Sequence, residues 1–156
     1  MASGGRGHGG VKLSEETIRN RLRDWPVARL ATLAPDGRPT QVPIVFAQMG
    51  DRLWSPVDGK PKSGGELARV RNLRQRPRVS LLLDDYDEDW QRLWWIALDA
   101  QGEVVQPEAP ERDETFQAAL EALRGKYSQY ANVPLLGEPP TLLAFRPQRI
   151  RSWCAN

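Results

Sequence analysis

Between Val27 and Val57 the chain runs through three short segments rich in apolar and β-branched residues, separated only by tight-turn signals, and this succession leaves few folds open. "VARLATLA" and "PTQVPIVFA" flank "PDGR", and "RLWSPV" follows "MGDR". Runs of this kind read as strands, and links this short make neighbours antiparallel, because a parallel pair needs a crossover of about a dozen residues. The spacing predicts a β-hairpin and then a third strand, before Asp58-Gly59 breaks the pattern.

The rest of the chain extends the same architecture. Upstream, Ser14 with Glu15 and Glu16 behind it predicts a helix start, with Ile18, Leu22 and Trp25 on one face and Pro26 as the stop. Downstream, Ser63 and Glu66 have capping-box spacing, and Leu67, Val70 and Leu73 recur every third residue, so a helix is expected over 63–75. "RVSLLLD" and "RLWWIALD" read as buried strands on either side of the acidic "DYDEDW", and "AQGE" reads as a turn. Phe116, Ala119, Leu120, Leu123 and Tyr127 predict a third helix over 113–130, and "TLLAF" and "RIRSW" close the chain as one or two strands around Pro147. Six or seven strands joined mostly by tight turns, with three helices, predict a mainly β fold with α: a small antiparallel barrel decorated with helices.

A chain of 156 residues fits one core, and 40% hydrophobic against 27% charged residues is an ordinary globular mix. Residues 1–12 are expected to form a disordered Gly-rich tail ahead of a single domain over 13–156. A net charge of only +2 argues against wholesale binding to nucleic acid or to a membrane surface, so any electrostatic site must come from local clustering. Cys154 is the only cysteine, which excludes an intramolecular disulfide and a cysteine metal cage and points to a reducing cytoplasm. The N-terminus "MASGGRGHGG" has no apolar signal core, and His8, the only histidine, lies within it. Neither a metal site nor histidine catalysis is expected of the folded part.

The local clustering is found in "SPVDGKPKSGGELARVRNLRQRPRVS", where Lys60, Lys62, Arg69, Arg71, Arg74, Arg76 and Arg78 face only Asp58 and Glu66. Three readings compete. The arginines can be the solvated face of an amphipathic helix, the commonest fate of such a run and the main reading for Arg71 and Arg76. They can neutralise nucleic-acid phosphates beside Trp54, Trp94 and Trp95, although the acidic "DDYDED" weakens that field. Or Lys60 and Lys62 can hold a discrete anion at the start of a capped helix, where free backbone N–H groups favour phosphate and Gly64 and Gly65 allow close approach.

The succession "ARLATLAPDGRPTQVPIVF", "DRLWSPVDGKPKS", "RVRNLRQRPRVSLLLD" and "AFRPQRIRSW" resembles the pyridoxamine 5'-phosphate oxidase-like split β-barrel family. It looks most like the branch that binds FMN or the deazaflavin coenzyme F-420, and the likeness runs from about Leu13 to Trp153. The resemblance implies a Greek-key, FMN-binding type of split barrel that forms a homodimer, with a flavin-type cofactor at the subunit interface. It implies that Lys60, Lys62 and Ser63 hold the cofactor phosphate, that Gln41, Val42, Pro43 and Ile44 lie along the ring, and that Ser55 and Val57 line the same groove. Pro43 cannot donate to a ladder and so belongs at an edge or bulge, where neighbouring backbone groups are free. Trp94 and Trp95 point to opposite sides of one strand, one to the core and one outward.

The activity implied is hydride transfer between a deazaflavin or flavin ring and a small conjugated substrate. Such chemistry belongs to the cofactor and needs no catalytic side chain, in keeping with a folded part that lacks histidine. The alternatives are an FMN-dependent oxidase or reductase and a flavin, deazaflavin or haem carrier without turnover. Arg146, Arg149 and Arg151 do not match the C-terminal basic pattern of members that oxidise pyridoxamine phosphate, so that oxidation is the less favoured activity.

Overall fold

The computed structural model describes residues 10–58 and 65–155. Its order is α1 (Glu15–Asp24), β1 (Ala28–Leu33), β2 (Pro39–Ile44), β3 (Ala47–Met49), β4 (Arg52–Pro56), α2 (Ala68–Gln75), β5 (Arg78–Asp85), β6 (Trp94–Val105), α3 (Glu114–Lys126) and β7 (Leu142–Cys154). The strands form one seven-stranded sheet in the order β2-β1-β5-β6-β7-β4-β3, and every pairing is antiparallel. β2 and β3 stand at opposite ends of that order, yet only Val45 and Phe46 separate them in the chain. Three Cα steps span at most about 11 Å, so the sheet must curl until its two ends nearly meet. That is a barrel with a split between β2 and β3, the architecture expected.

The split corrects one sequence reading: "PTQVPIVFA" is two strands. The first continues the β1 hairpin around Gly37, whose φ of +84° is the left-handed turn conformation that favours glycine. The second leaves it at Val45 to pair with β4. A second correction concerns "AQGE", which is no turn. β6 runs unbroken through Gln101, Gly102 and Glu103 and stays paired with β7, the irregularity falling instead where Asp99 pairs with Arg149 and Ala100 with Pro147. Gly102 is needed there because a Cβ would sit 2.5 Å from Leu73 Cδ1 and 3.1 Å from Phe145 Cδ1, so α2 presses directly on the strand.

The third correction is α2. It begins at Ala68 after Leu67, without a side-chain cap, and not at a Ser63 capping box; Glu66 is paired to Arg74 at 2.9 Å. Gly65 is therefore outside the helix, which removes the capped helix start from the anion-site argument. By contrast, α1 begins as expected, with Ser14 Oγ accepting the Thr17 N–H at 3.1 Å. α3 is capped by Asp113 and stops at Lys126, short of the expected Tyr130, with a 3-10 turn over Ser128–Ala131.

Two apolar clusters hold the barrel. One fills its interior, with Leu30, Phe46, Leu53, Leu73, Leu81, Ile96, Leu98 and Phe145 among its members. The other lies under α3, where Phe116, Leu120 and Leu123 meet Trp54, Leu142 and Ala144. β4 and β7 are thus covered on both faces, which is why "LW" and "LLAF" are continuously apolar rather than alternating. Each fully buried Leu or Phe contributes about 1.5–3 kcal/mol.

Candidate functional site

The sequence-predicted site residues fall in three places. Gln41, Val42, Pro43 and Ile44 lie on β2 at one end of the strand order: Gln41 and Pro43 are exposed, Val42 is half-buried and Ile44 faces the core. Pro43, opposite Arg29 of β1, therefore sits on an edge strand, where its missing N–H costs no ladder bond on the free side. Ser55, on β4 opposite Leu143, is only 1% exposed. Val57 follows β4; its N–H donates to Thr141 O at 3.1 Å and its carbonyl accepts from Gly137 N at 2.9 Å, which leaves its side chain as its contribution to a surface. Lys60, Lys62 and Ser63 lie outside the described residues.

The chain leaves the described region at Asp58 and re-enters at Gly65, and a cleft of about 370 Å³ opens beside these ends. Val57, Leu67 and Val70 give it apolar walls; Gln106, Thr141, Arg74 and the carboxylates Glu66 and Glu138 line its polar side, Glu66 being paired with Arg74. Thr141 Oγ1 accepts from Gln106 Nε2 at 2.9 Å and donates to Pro139 O at 2.8 Å, so this rim is held in place.

Three residues given no site role in the sequence reading lie around the Asp58 end: Arg69 and Asp58, both of the basic stretch, and Tyr130. Arg69, on α2, has a buried Nε with no hydrogen-bond partner among the described residues. Burial pushes its guanidinium pKa down, with Asp58 acting in the opposite sense. Asp58 itself accepts from the Tyr130 hydroxyl at 3.1 Å. Burial, and then the adjacent carboxylate, hold that phenol protonated well above its ordinary range. A buried N–H left without an acceptor is costly, and an anion bound here would complete it.

Arg69 could have been found from the helix period. Once α2 starts at Ala68, Arg69, Asn72, Leu73 and Arg76 are spaced by three and four and share the inward face. Asn72, 1% exposed, donates to Thr32 Oγ1 at 3.1 Å and Thr40 Oγ1 at 3.4 Å, tying α2 to the β1–β2 hairpin. Arg76 donates to the carbonyls of Ala34 and Pro35, each at 3.1 Å, and so braces the hairpin turn. The reading of Arg76 as solvated is corrected: it is a structural clamp, while Arg71 is exposed as expected. Arg74 is engaged by Glu66 and Gln106, so with Arg76 two of the seven cations of the basic run are held within the chain.

Trp94 and Trp95 divide as expected. Trp94 is 5% exposed and meets Trp25 edge-on at 4.7 Å, while Trp95 points outward beside Trp153, its partner in the β6–β7 ladder. Among the described residues no cluster of His, Cys, Asp and Glu could hold a metal ion, and no helix is long and apolar enough to cross a membrane.

A family model described as pyridoxamine 5'-phosphate oxidase matches residues 14–154. No curated protein matches the chain in sequence. Among solved structures, a conserved hypothetical protein from Mycobacterium tuberculosis is similar at 26% identity with a TM-score of 0.68, covering 97% of this chain and 90% of that one. An FAD-binding protein from Mesorhizobium loti matches at 21% identity and a TM-score of 0.68, over 94% of this chain and 99% of that one. A heme-binding protein from Mycobacterium smegmatis matches at 21% identity and a TM-score of 0.62, over 85% of this chain and 50% of that one.

Proposed function

The chain belongs to the pyridoxamine 5'-phosphate oxidase family, and from that premise we propose that it binds a phosphorylated flavin-type cofactor, coenzyme F-420 before FMN, and transfers a hydride between it and a small conjugated substrate. The observation that carries this reading is Arg69: a half-buried guanidinium whose buried Nε has no acceptor among the described residues, on the first turn of α2, close in the chain to Lys60, Lys62 and Ser63. A cofactor phosphate supplies the anionic acceptor that Arg69 lacks, and charge-assisted hydrogen bonds of this kind are about twice as strong as neutral ones. Lys60 and Lys62 add charge, and Ser63 a hydroxyl. The β2 edge over Gln41, Val42, Pro43 and Ile44 offers backbone groups to the ring, and Val57, just after β4, lines the groove with the buried Ser55 of β4 supporting it.

When bound, the cofactor ring supplies the hydride; the protein binds, orients and excludes water. The protein works as a cytoplasmic homodimer with the cofactor at the subunit interface. The outward face formed by Leu82, Trp95, Ala97 and Trp153 supports a second copy, because together with the exposed Tyr86 it makes an apolar surface around a depression of about 580 Å³. Engagement of Arg74 and Arg76 within the chain speaks against a nucleic-acid surface.

A second reading, carriage of a flavin, deazaflavin or haem without turnover, is favoured by the FAD-binding and heme-binding descriptions of two structural neighbours. Steady-state oxidation of the reduced cofactor against a panel of enones and quinones separates the two. Turnover with at least one acceptor is expected of the reductase; tight binding with no turnover across the panel establishes the carrier instead.

A further inference from the structure

A second cleft, of about 730 Å³, lies between α1 and α3 and is floored by β3. It is lined by different residues from those beside Asp58 and Gly65. Arg19 and Arg23, four apart and therefore on one face of α1, look across it to Lys126 at the end of α3. Asp24 is the only acid in the lining, and Arg23 already holds it through two bonds, at 2.8 and 2.9 Å. Arg19 and Lys126 enter no ion pair among the described residues. The remaining lining residues, Asn20, Gln48, Ala47, Ala122 and Gly125, are uncharged.

Lys126 is not a free surface lysine. Its Nζ rests over the Phe46 ring, 3.7 Å from the centroid, and makes one long hydrogen bond, 3.5 Å, to Leu22 O. The Phe46 face steadies the ammonium by a cation–π contact. An ammonium has three N–H donors, so a bond this long leaves capacity for a better acceptor.

We propose that the α1–α3 cleft is a second ligand site, which takes a small molecule through a phosphate group held between Lys126 and Arg19. Two cations without an ion-pair partner among the described residues match a dianion, and the volume is of the order of small-molecule sites, about 300–1,000 Å³, so an organic portion fits beside Ala47 and Ala122. Burial lowers the Lys126 pKa to about 8, with Asp24 opposing, so the charge that Lys126 brings to the site is lost in mildly alkaline solution. Affinity for a dianion is therefore greatest below that pH. Gly125 leaves open space at this wall, since a Cβ there meets no atom within 4 Å. A larger side chain at this position has room at its Cβ and is expected to extend into the cleft.

The test is titration of the full chain with inorganic phosphate, read from backbone amide shifts in α1 and α3, at about pH 7 and about pH 9.5; the phosphate only gains negative charge over that range, so weaker binding at the higher pH reports the loss of charge at Lys126. Saturable shifts in these two helices are expected, weakened roughly tenfold or more at the higher pH and in Lys126→Met, as loss of a charge-assisted bond implies. Gly125→Leu is expected to abolish them while leaving shifts around Asp58 and Gly65 unchanged. Should Lys126→Met fail to fold, Arg19→Gln, at an exposed position, gives the same reading. Absence of saturable shifts in α1 and α3, or affinities equal in all variants, overturns the proposal.

Discussion

The Phe46 N–H donates to the Tyr127 hydroxyl oxygen at 3.0 Å, and that hydroxyl lies 2.8 Å from the carbonyl oxygens of both Phe46 and Pro26. Phe46 is the residue at which the chain crosses the barrel split from β2 to β3, where no ladder partner exists for its backbone. One phenol from the end of α3 therefore supplies the acceptor and the donor that the sheet cannot.

Tyr127→Phe leaves the buried Phe46 N–H unpaired, a loss of about 1–3 kcal/mol. For a domain of this size each kcal/mol moves Tm by about 2–4 °C. A thermal melt is expected to fall accordingly with the cofactor site intact, and an unchanged Tm contradicts the role given to Tyr127.

Arg69→Met removes a half-buried charge whose Nε has no partner, so the cofactor-free protein is expected to be as stable as the parent or more so. Cofactor affinity is expected to fall about ten- to a hundredfold, the loss of a charge-assisted hydrogen bond. Melting curves with and without FMN read both effects. A variant destabilised without ligand and unaltered in affinity marks Arg69 as structural.

Gly102→Ala places a methyl group 2.5 Å from Leu73 Cδ1 and 3.1 Å from Phe145 Cδ1. Because Leu73 can shift only into a filled interior, a loss of about 1–3 kcal/mol is expected in chemical denaturation. Leu73→Ala in the same chain opens room for the methyl, so the double variant is expected to lose less than the sum of the singles.

Stability against pH follows from Lys126. Its pKa is near 8 in the folded chain and 10.5 when unfolded, so between these values the unfolded state binds more protons and stability rises with pH. Tyr127 and Tyr130 act oppositely: burial raises both above the ordinary 10.0, so the unfolded state loses their protons first and stability falls beyond that point. Denaturant midpoints are expected to climb from about pH 8 toward 10 and then decline. In Lys126→Met the climb is expected to disappear, and a climb that survives assigns it to another group.

Much of this molecule is legible in its sequence, for identifiable reasons. Gly37 and the run before it give the β1–β2 hairpin because turn chemistry is local, and Ser14 with Glu15 and Glu16 gives α1 because capping is local. The break at Val45 is invisible because both halves of "PTQVPIVFA" are strand-like; only barrel closure, a property of the whole sheet, separates them. Gln101, Gly102 and Glu103 look like a turn because the reason for Gly102, the approach of Leu73, comes from a distant element. The basic run misleads in a similar way. Arg76 and Arg74 are engaged by partners far away in sequence, while Arg69, the one with a buried unused donor, shows only once the helix start is moved to Ala68.

The central claim is most directly tested by titrating the purified chain with FMN and, in parallel, with coenzyme F-420, following fluorescence, alongside Arg69→Met and the double variant Lys60→Ala, Lys62→Ala. Saturable binding of the deazaflavin in preference to FMN, lost in the double variant and weakened in Arg69→Met with folding retained, is the expected result. Binding of neither cofactor, or binding that survives in both variants unchanged, contradicts it.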